Sequence, residues 1–153
     1  TPEIKLTEKQ FHREMAAKLF NETWNLIDKK ERTPEETDRM IHSAHASRLH
    51  WGYVGTAENL AVGEWQIARV YSVLGRAEAA MHHAQRAVEI AEKNQFKGFH
   101  LGSAYEGLAR ALWVSGDRSS AREYLAKARQ IAEKLTDEED RKVLLEDIES
   151  VGK

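Results

Sequence analysis

Residues 67–87, IARVYSVLGRAEAAMHHAQRA, and residues 108–128, LARALWVSGDRSSAREYLAKA, are two copies of one pattern set 41 positions apart. Each copy has an apolar residue followed by alanine, then a glycine, then small or apolar residues at helical spacing. The paired positions are Ile67-Ala68 and Leu108-Ala109, Tyr71 and Leu112, Gly75 and Gly116, Ala80 and Ala121, Ala84 and Leu125, and Ala87 and Ala128. A glycine ends a helix, and small residues let neighbouring helices approach closely. The repeat therefore predicts stacked helical hairpins.

This pattern resembles the tetratricopeptide repeat (TPR), in a form whose helices are longer than those of the usual unit of about 34 residues. The resemblance covers roughly residues 59–135 and implies an all-α, right-handed α-α superhelix. One position departs from the family, which usually has a bulky apolar residue near the start of the first helix. The second copy has Tyr105 there, but the first has Glu64. A buried carboxylate needs a partner, so we expect Glu64 to have one.

A second resemblance lies partly upstream of the two copies. The stretch His45–Trp51, followed by Asn59, Gly63-Glu64-Trp65 and Arg69, is similar to a group of uncharacterised bacterial TPR-like proteins. This similarity implies a bacterial origin and the same fold, and it carries no activity with it.

Helix-start signals place the remaining helices. Thr7 with Gln10, Thr33 with Glu36 and Thr136 with Glu139 have capping-box spacing, and no stretch shows the alternation of a strand. We predict about seven helices, near residues 7–28, 34–54, 56–74, 77–94, 99–115, 118–135 and 137–149. We expect a single domain over residues 1–153, in which 7–54 is a degenerate first hairpin, 56–94 and 99–135 are the repeats, and 137–149 is a capping helix.

Composition removes several classes of function. The chain has 23 basic and 25 acidic residues, well mixed, so no broad basic surface is expected for nucleic acid. The absence of cysteine excludes disulfides, thiolate zinc sites and cysteine nucleophiles. No apolar run approaches the roughly 20 residues that span a bilayer, and residues 1–10 lack the apolar region of a signal peptide. We therefore expect a cytoplasmic protein that does not bind membranes.

The first helix of each TPR hairpin lines a concave groove, and the resemblance places one set of side chains there. The set is Trp65, Arg69, Glu106, Arg110 and Trp113. Arg69 and Arg110 are equivalent under the repeat, so side by side they would present two guanidinium groups to a carboxylate or phosphate. The tryptophans would add apolar walls. The alternative interpretation is an internal network in which the arginines pair with Glu64 and Glu106.

The histidines suggest a different kind of site. His42, His45 and His50 lie on one predicted helix, but His45 and His50 point about 140° apart at about 100° per residue. An alternative pocket for a small molecule or metal, or for catalysis, would combine His45 and His50 with Glu64 of the next helix. The chain has no H-E-x-x-H motif, Walker loop or G-x-S-x-G elbow, so no metal, cofactor or catalytic residue is predicted.

We predict a non-enzymatic adaptor or scaffold whose groove binds a protein or peptide. The arginine pair favours an acidic peptide or a chain terminus as the ligand. The histidine pocket is the alternative. The charged segment Thr136–Lys153 is interpreted as a polar-faced cap on the last hairpin, with a self-association helix as the alternative, so a homo-oligomer also stays open.

Overall fold

The computed structural model describes residues 3–153, and their regular structure is entirely helical. The helices are α1 (Glu8–Ile27), α2 (Pro34–Val54), α3 (Ala57–Val73), α4 (Ala77–Lys93), α5 (Phe99–Ser115), α6 (Arg118–Lys134) and α7 (Glu138–Ser150). The predicted all-α class and the number of helices are confirmed, and every helix end lies within one residue of its expected position. The first two residues of the predicted domain lie outside the described part of the chain.

Capping residues explain why the helix starts were predictable. The expected capping boxes of Thr7 and Thr33 are both present, with each threonine hydroxyl accepting the amide of the residue three positions on. The third expected box was wrong, because α7 is capped by Asp137, whose carboxylate accepts the Asp140 amide at 2.9 Å. Aspartate caps at least as well as threonine, so the helix starts one residue later. A further capping box at Thr56 was not predicted, because the residue that completes it is Asn59 and not the usual glutamate or glutamine.

Sequential helices pack as the antiparallel hairpins α1–α2, α3–α4 and α5–α6, and α7 packs on the last of them. The backbones of the odd-numbered helices also lie close to one another in sequence, whereas those of α2, α4 and α6 lie farther apart in the described chain. α2 and α4 meet through side chains such as His45 and His83, whose ring centroids are 5.3 Å apart. The odd helices therefore form the inner curve of a TPR-like solenoid. Gly75 and Gly116 follow α3 and α5 with φ of 71° and 94°, so these repeated glycines end the helices in left-handed backbone.

Alanine dominates the core between the two repeats. The buried members of this cluster include Ala68, Ala80, Ala84, Ala91, Ala104, Ala111 and Ala121. Such small side chains allow close packing of helices, so the spacing that defines the repeat also builds the core. Among residues 3–153, no helix combines the length and the apolar character that are needed to cross a membrane.

Candidate functional site

A fully buried carboxylate lies at the centre of the inner face. Glu106 of α5 has no exposed surface, and its Oε1 accepts a hydrogen bond from Arg69 Nη2 of α3 at 3.1 Å. Its Oε2 accepts from Arg110 Nε at 3.1 Å, one turn along the same helix. Trp65 Nε1 also donates to Oε1, at 3.3 Å. Three donors from two helices therefore hold this carboxylate in place of water.

The same two arginines fasten α7. Arg69 Nη2 donates to Asp147 Oδ1 at 3.1 Å, and Arg110 Nη2 donates to the Asp147 carbonyl at 3.0 Å and to Ser150 Oγ at 2.6 Å. The Arg69 guanidinium lies 5.3 Å from the centroid of the Trp65 ring, which adds a cation–π contact. We call Arg69, Glu106, Arg110 and Asp147 the arginine network.

Burial and charge act differently on the members of the arginine network. The pKa of Asp147 is raised, first by burial and then by the negative charge of Glu106, although both arginines act to lower it. Burial lowers the pKa of Arg110, whereas Glu106 and Asp147 outweigh burial at Arg69 and raise its pKa. Burial and the charge of Glu106 thus disfavour the charged form of Asp147 in the folded protein.

An apolar channel opens beside the arginine network between α1, α3, α5 and α7. It encloses about 180 Å³, and its lining includes Phe20, Val62, Trp65, Phe99 and Val143. A neighbouring cavity of about 230 Å³ shares Phe20 and Val62 with the channel and ends against Trp51, Asn21 and Glu58. Together they form a two-part, largely apolar site of the kind that accepts large side chains.

A polar hollow lies at the other end of the inner face. It has a volume of about 400 Å³ and is lined by Ser72, Arg110, Trp113, Ser150 and Lys153 among others. The Ser72 hydroxyl is buried and has no hydrogen-bond partner among the described residues. An unpaired buried hydroxyl is unfavourable, so this group is available to a ligand that reaches it.

The structure brings Trp65, Arg69 and Arg110 together on Glu106, and a ligand-binding role for the five residues that the repeat placed in the groove stays a prediction. Trp65 lies in the channel, Trp113 lies in the hollow, and the two arginines meet at Glu106 between them. The second carboxylate on the arginines is Asp147 and not Glu64, which pairs elsewhere.

Comparison with known families agrees with this architecture. The tetratricopeptide repeat family model matches residues 59–134, which run from α3 to the end of α6. Over these residues the chain is TPR-like. No curated protein and no solved structure matches it. The matched residues include Trp65, Arg69, Glu106, Arg110 and Trp113, so the groove set belongs to the TPR repeats, whereas Asp147 lies outside them.

The alternative pocket is divided in this TPR-like fold. Glu64 Oε2 lies 2.7 Å from His83 Nδ1 as a hydrogen bond, and Glu64 Oε1 lies 3.2 Å from Arg48 Nε as an ion pair. His45 Nε2 is 2.8 Å from the Tyr71 hydroxyl in the same cluster. His50 is elsewhere, with its Nδ1 at 2.8 Å from His12 Nδ1. The structure therefore brings together His45 and Glu64 but not His50, and a shared site of all three stays a prediction.

Within residues 3–153, no group of three or more histidine, cysteine, aspartate or glutamate side chains is arranged to hold a metal ion. In the histidine cluster, the nearest polar atoms of Glu64, His83, His45 and Tyr71 are paired with one another. These contacts join α2, α3 and α4, so they help to stack the first hairpin on the second.

The histidine cluster predicts a loss of stability in mild acid. The pKa of His45 is lowered from its ordinary 6.5 by burial and then by nearby His83, while Glu64 opposes the shift. The unfolded chain therefore binds a proton first, and stability falls as the pH drops below about 6.5, by at most about 1.4 kcal/mol per pH unit. Urea unfolding at pH 7.5 and 5.5 measures this loss. His45→Asn should weaken the dependence of the free energy of unfolding on pH. If the variant keeps the same dependence, the effect belongs to other groups, such as His50.

Sequence reasoning missed Asp147 and most of the channel. Asp147 is one of six acidic residues in α7, and sequence alone gives none of them priority. Phe20 and Val143 come from α1 and α7, outside the recognisable repeats, so no repeat register pointed to them. The available signal was limited to helical spacing, which predicts that one face of each helix is buried without saying which helix covers it.

Proposed function

We propose that this TPR-like domain binds an acidic segment of another protein along its inner face. The observation that carries the proposal is the arginine network, in which two arginines of successive repeats converge and already bind two carboxylates. Concave surfaces of helical repeats are general protein-binding surfaces, which supports the location. Arginine pairs bind carboxylates through charge-assisted hydrogen bonds, which supports an acidic ligand.

The surroundings of the network support a ligand that has both apolar and acidic groups. The channel beside Trp65 would take a large apolar side chain, and aromatic walls of this kind often dominate binding energy. The hollow would take a carboxylate or chain terminus next to Arg110 and the free Ser72 hydroxyl. The expectations of a bacterial, cytoplasmic adaptor and of a homo-oligomer stay predictions.

Fluorescently labelled peptides test this function. The panel contains acidic peptides with one leucine or phenylalanine, matched peptides with lysine in place of the acids, and matched peptides with alanine in place of the apolar residue. Acidic peptides should bind more weakly as salt is raised, because surface charges are screened. Val62→Trp, which fills the channel, should weaken binding about tenfold or more, as expected for a lost anchor.

A control and an opposite outcome complete the test. Arg86 lies on the exposed face of α4, where it forms an ion pair with Glu89 at 3.4 Å, and Arg86→Gln should leave binding unchanged. If acidic and basic peptides bind equally, or if Val62→Trp and Arg86→Gln have the same effect, the inner face is not an acidic-peptide site.

A further inference from the structure

The strongest unassigned feature is the surface beneath α7. We propose that this surface is the docking site for an acidic amphipathic helix of the partner protein, and that α7 occupies it in the free chain. The inference rests on the proposed function and specifies its ligand, because it turns an acidic segment into a helix with a defined pattern. It also makes α7 a competitor that must move before the partner binds.

The composition of α7 matches the surface that it covers. α7 carries six acidic residues and two basic ones over Glu138–Ser150. Its buried apolar residues are Leu144 and Ile148, and Val151 continues the same face just beyond the helix. Leu144 and Ile148 pack on Ala128 and Ala132 of α6. α7 is thus an acidic helix with one apolar face.

The surface has complementary charge once α7 is taken away. Arg69 and Arg110 would then face a single buried carboxylate, Glu106, and so carry an excess positive charge beside the apolar strip of α6. At the rim, Arg129 Nη2 would lose its contact with Glu149, now at 2.6 Å. A basic pair next to an apolar strip fits a helix with acidic and apolar groups on one side.

The contacts of α7 give the pattern that the partner helix needs. In the partner helix, apolar residues take the places of Leu144, Ile148 and Val151. These positions are spaced by four and three residues and share one face. An aspartate occupies the place of Asp147, immediately before the second apolar residue, and reaches Arg69. A small residue with a hydroxyl group takes the place of Ser150 and accepts a hydrogen bond from Arg110.

Two features make α7 exchangeable. It is the shortest helix, with 13 residues, and it follows α6 through the short segment 135–137. The pKa of Asp147 is raised by burial and by Glu106, so docking of α7 disfavours the charged form of this side chain. α7 also forms walls of both the channel and the hollow, through Val143 and Ser150, so any ligand in the groove meets it.

The probe for the test is a labelled synthetic peptide of residues 136–153, with a scrambled peptide as its control. In the intact chain, tethered α7 competes with the peptide, so the chain is also made as Leu144→Ala and as Asp147→Ala to weaken the internal helix. Each variant should bind the peptide at least about tenfold more tightly than the unaltered chain, because the binding-competent fraction rises. No gain in either variant, or equal binding of the scrambled peptide, overturns the inference.

Cross-linking separates competition by α7 from binding at another surface. The chain has no cysteine, so Arg129→Cys with Glu149→Cys can be bridged specifically by a bis-maleimide linker, which holds α7 on α6. Bridging should abolish the gain in the Asp147→Ala chain, whereas the same linker between Arg86→Cys and Glu89→Cys on α4 should not. Equal peptide binding with α7 bridged and unbridged contradicts exchange of α7. The acidic-peptide panel would still decide the proposed function independently, since it does not depend on the residue 136–153 sequence.

Discussion

Glu106→Ala should destabilise the protein by about 3–5 kcal/mol, the usual range when one partner of a buried ion pair is removed. Glu106 is completely buried, and the side chains of Arg69 and Arg110 are only 10% and 14% exposed. Without Glu106, two nearly buried guanidinium groups would share the single carboxylate of Asp147 and repel each other. Guanidinium chloride unfolding, followed by far-UV circular dichroism, measures the change in the free energy of unfolding.

An exposed ion pair provides the matched control for this variant. Glu149 pairs with Arg129 across α6 and α7, and both side chains are about half exposed. Glu149→Ala should therefore leave the free energy of unfolding nearly unchanged. Glu106→Gln keeps the shape and removes the charge, so it should fall between the two. A loss below about 1 kcal/mol for Glu106→Ala would mean that helix packing, and not the arginine network, holds α3, α5 and α7 together.

The fold was predictable because its determinants are local or repeated. Capping residues such as Thr7 and Thr33 define helix starts within a few positions, and glycines at 75 and 116 mark the ends of α3 and α5. The 41-residue register also made Arg69 and Arg110 neighbours, because equivalent residues of stacked repeats occupy adjacent places on the inner face. Glu64, the one unusual residue in that register, has the partners that its burial requires.

The rest of the site depends on contacts of α1 and α7, which lie outside the 41-residue repeat. Which acidic residue of α7 meets the arginines follows from the rotation of α7 about its axis, and that rotation is set by burial of Leu144 and Ile148. The channel needs α1 and α7 at specific distances from Trp65, because Phe20 and Val143 close it. Helical periodicity gives the apolar face of each helix but not the distance to its neighbour.

Leu144→Ala should remove about 2–5 kcal/mol, the range for truncating a fully buried leucine, because the transfer energy is lost and a cavity remains. Leu144 is 0% exposed and fits against Gly102 of α5, where an added Cβ atom would lie only 2.5 Å from the Leu144 Cδ2 atom. Gly102 therefore makes the recess that Leu144 fills. The neighbouring Val143 is 37% exposed, and Val143→Ala should change the stability by less than about 1 kcal/mol.

Amide hydrogen exchange of the Leu144→Ala variant shows which helices are destabilised. Because Leu144 is the most deeply buried anchor of α7, its truncation should raise amide exchange across Glu138–Ser150 more than in α5 and α6. Faster exchange confined to α7 would indicate that this helix undocks while the repeats stay folded, which is the state that a partner helix requires. Uniformly faster exchange in all helices would instead show that α7 and the TPR repeats unfold as one unit, and binding at the covered surface would then require global unfolding.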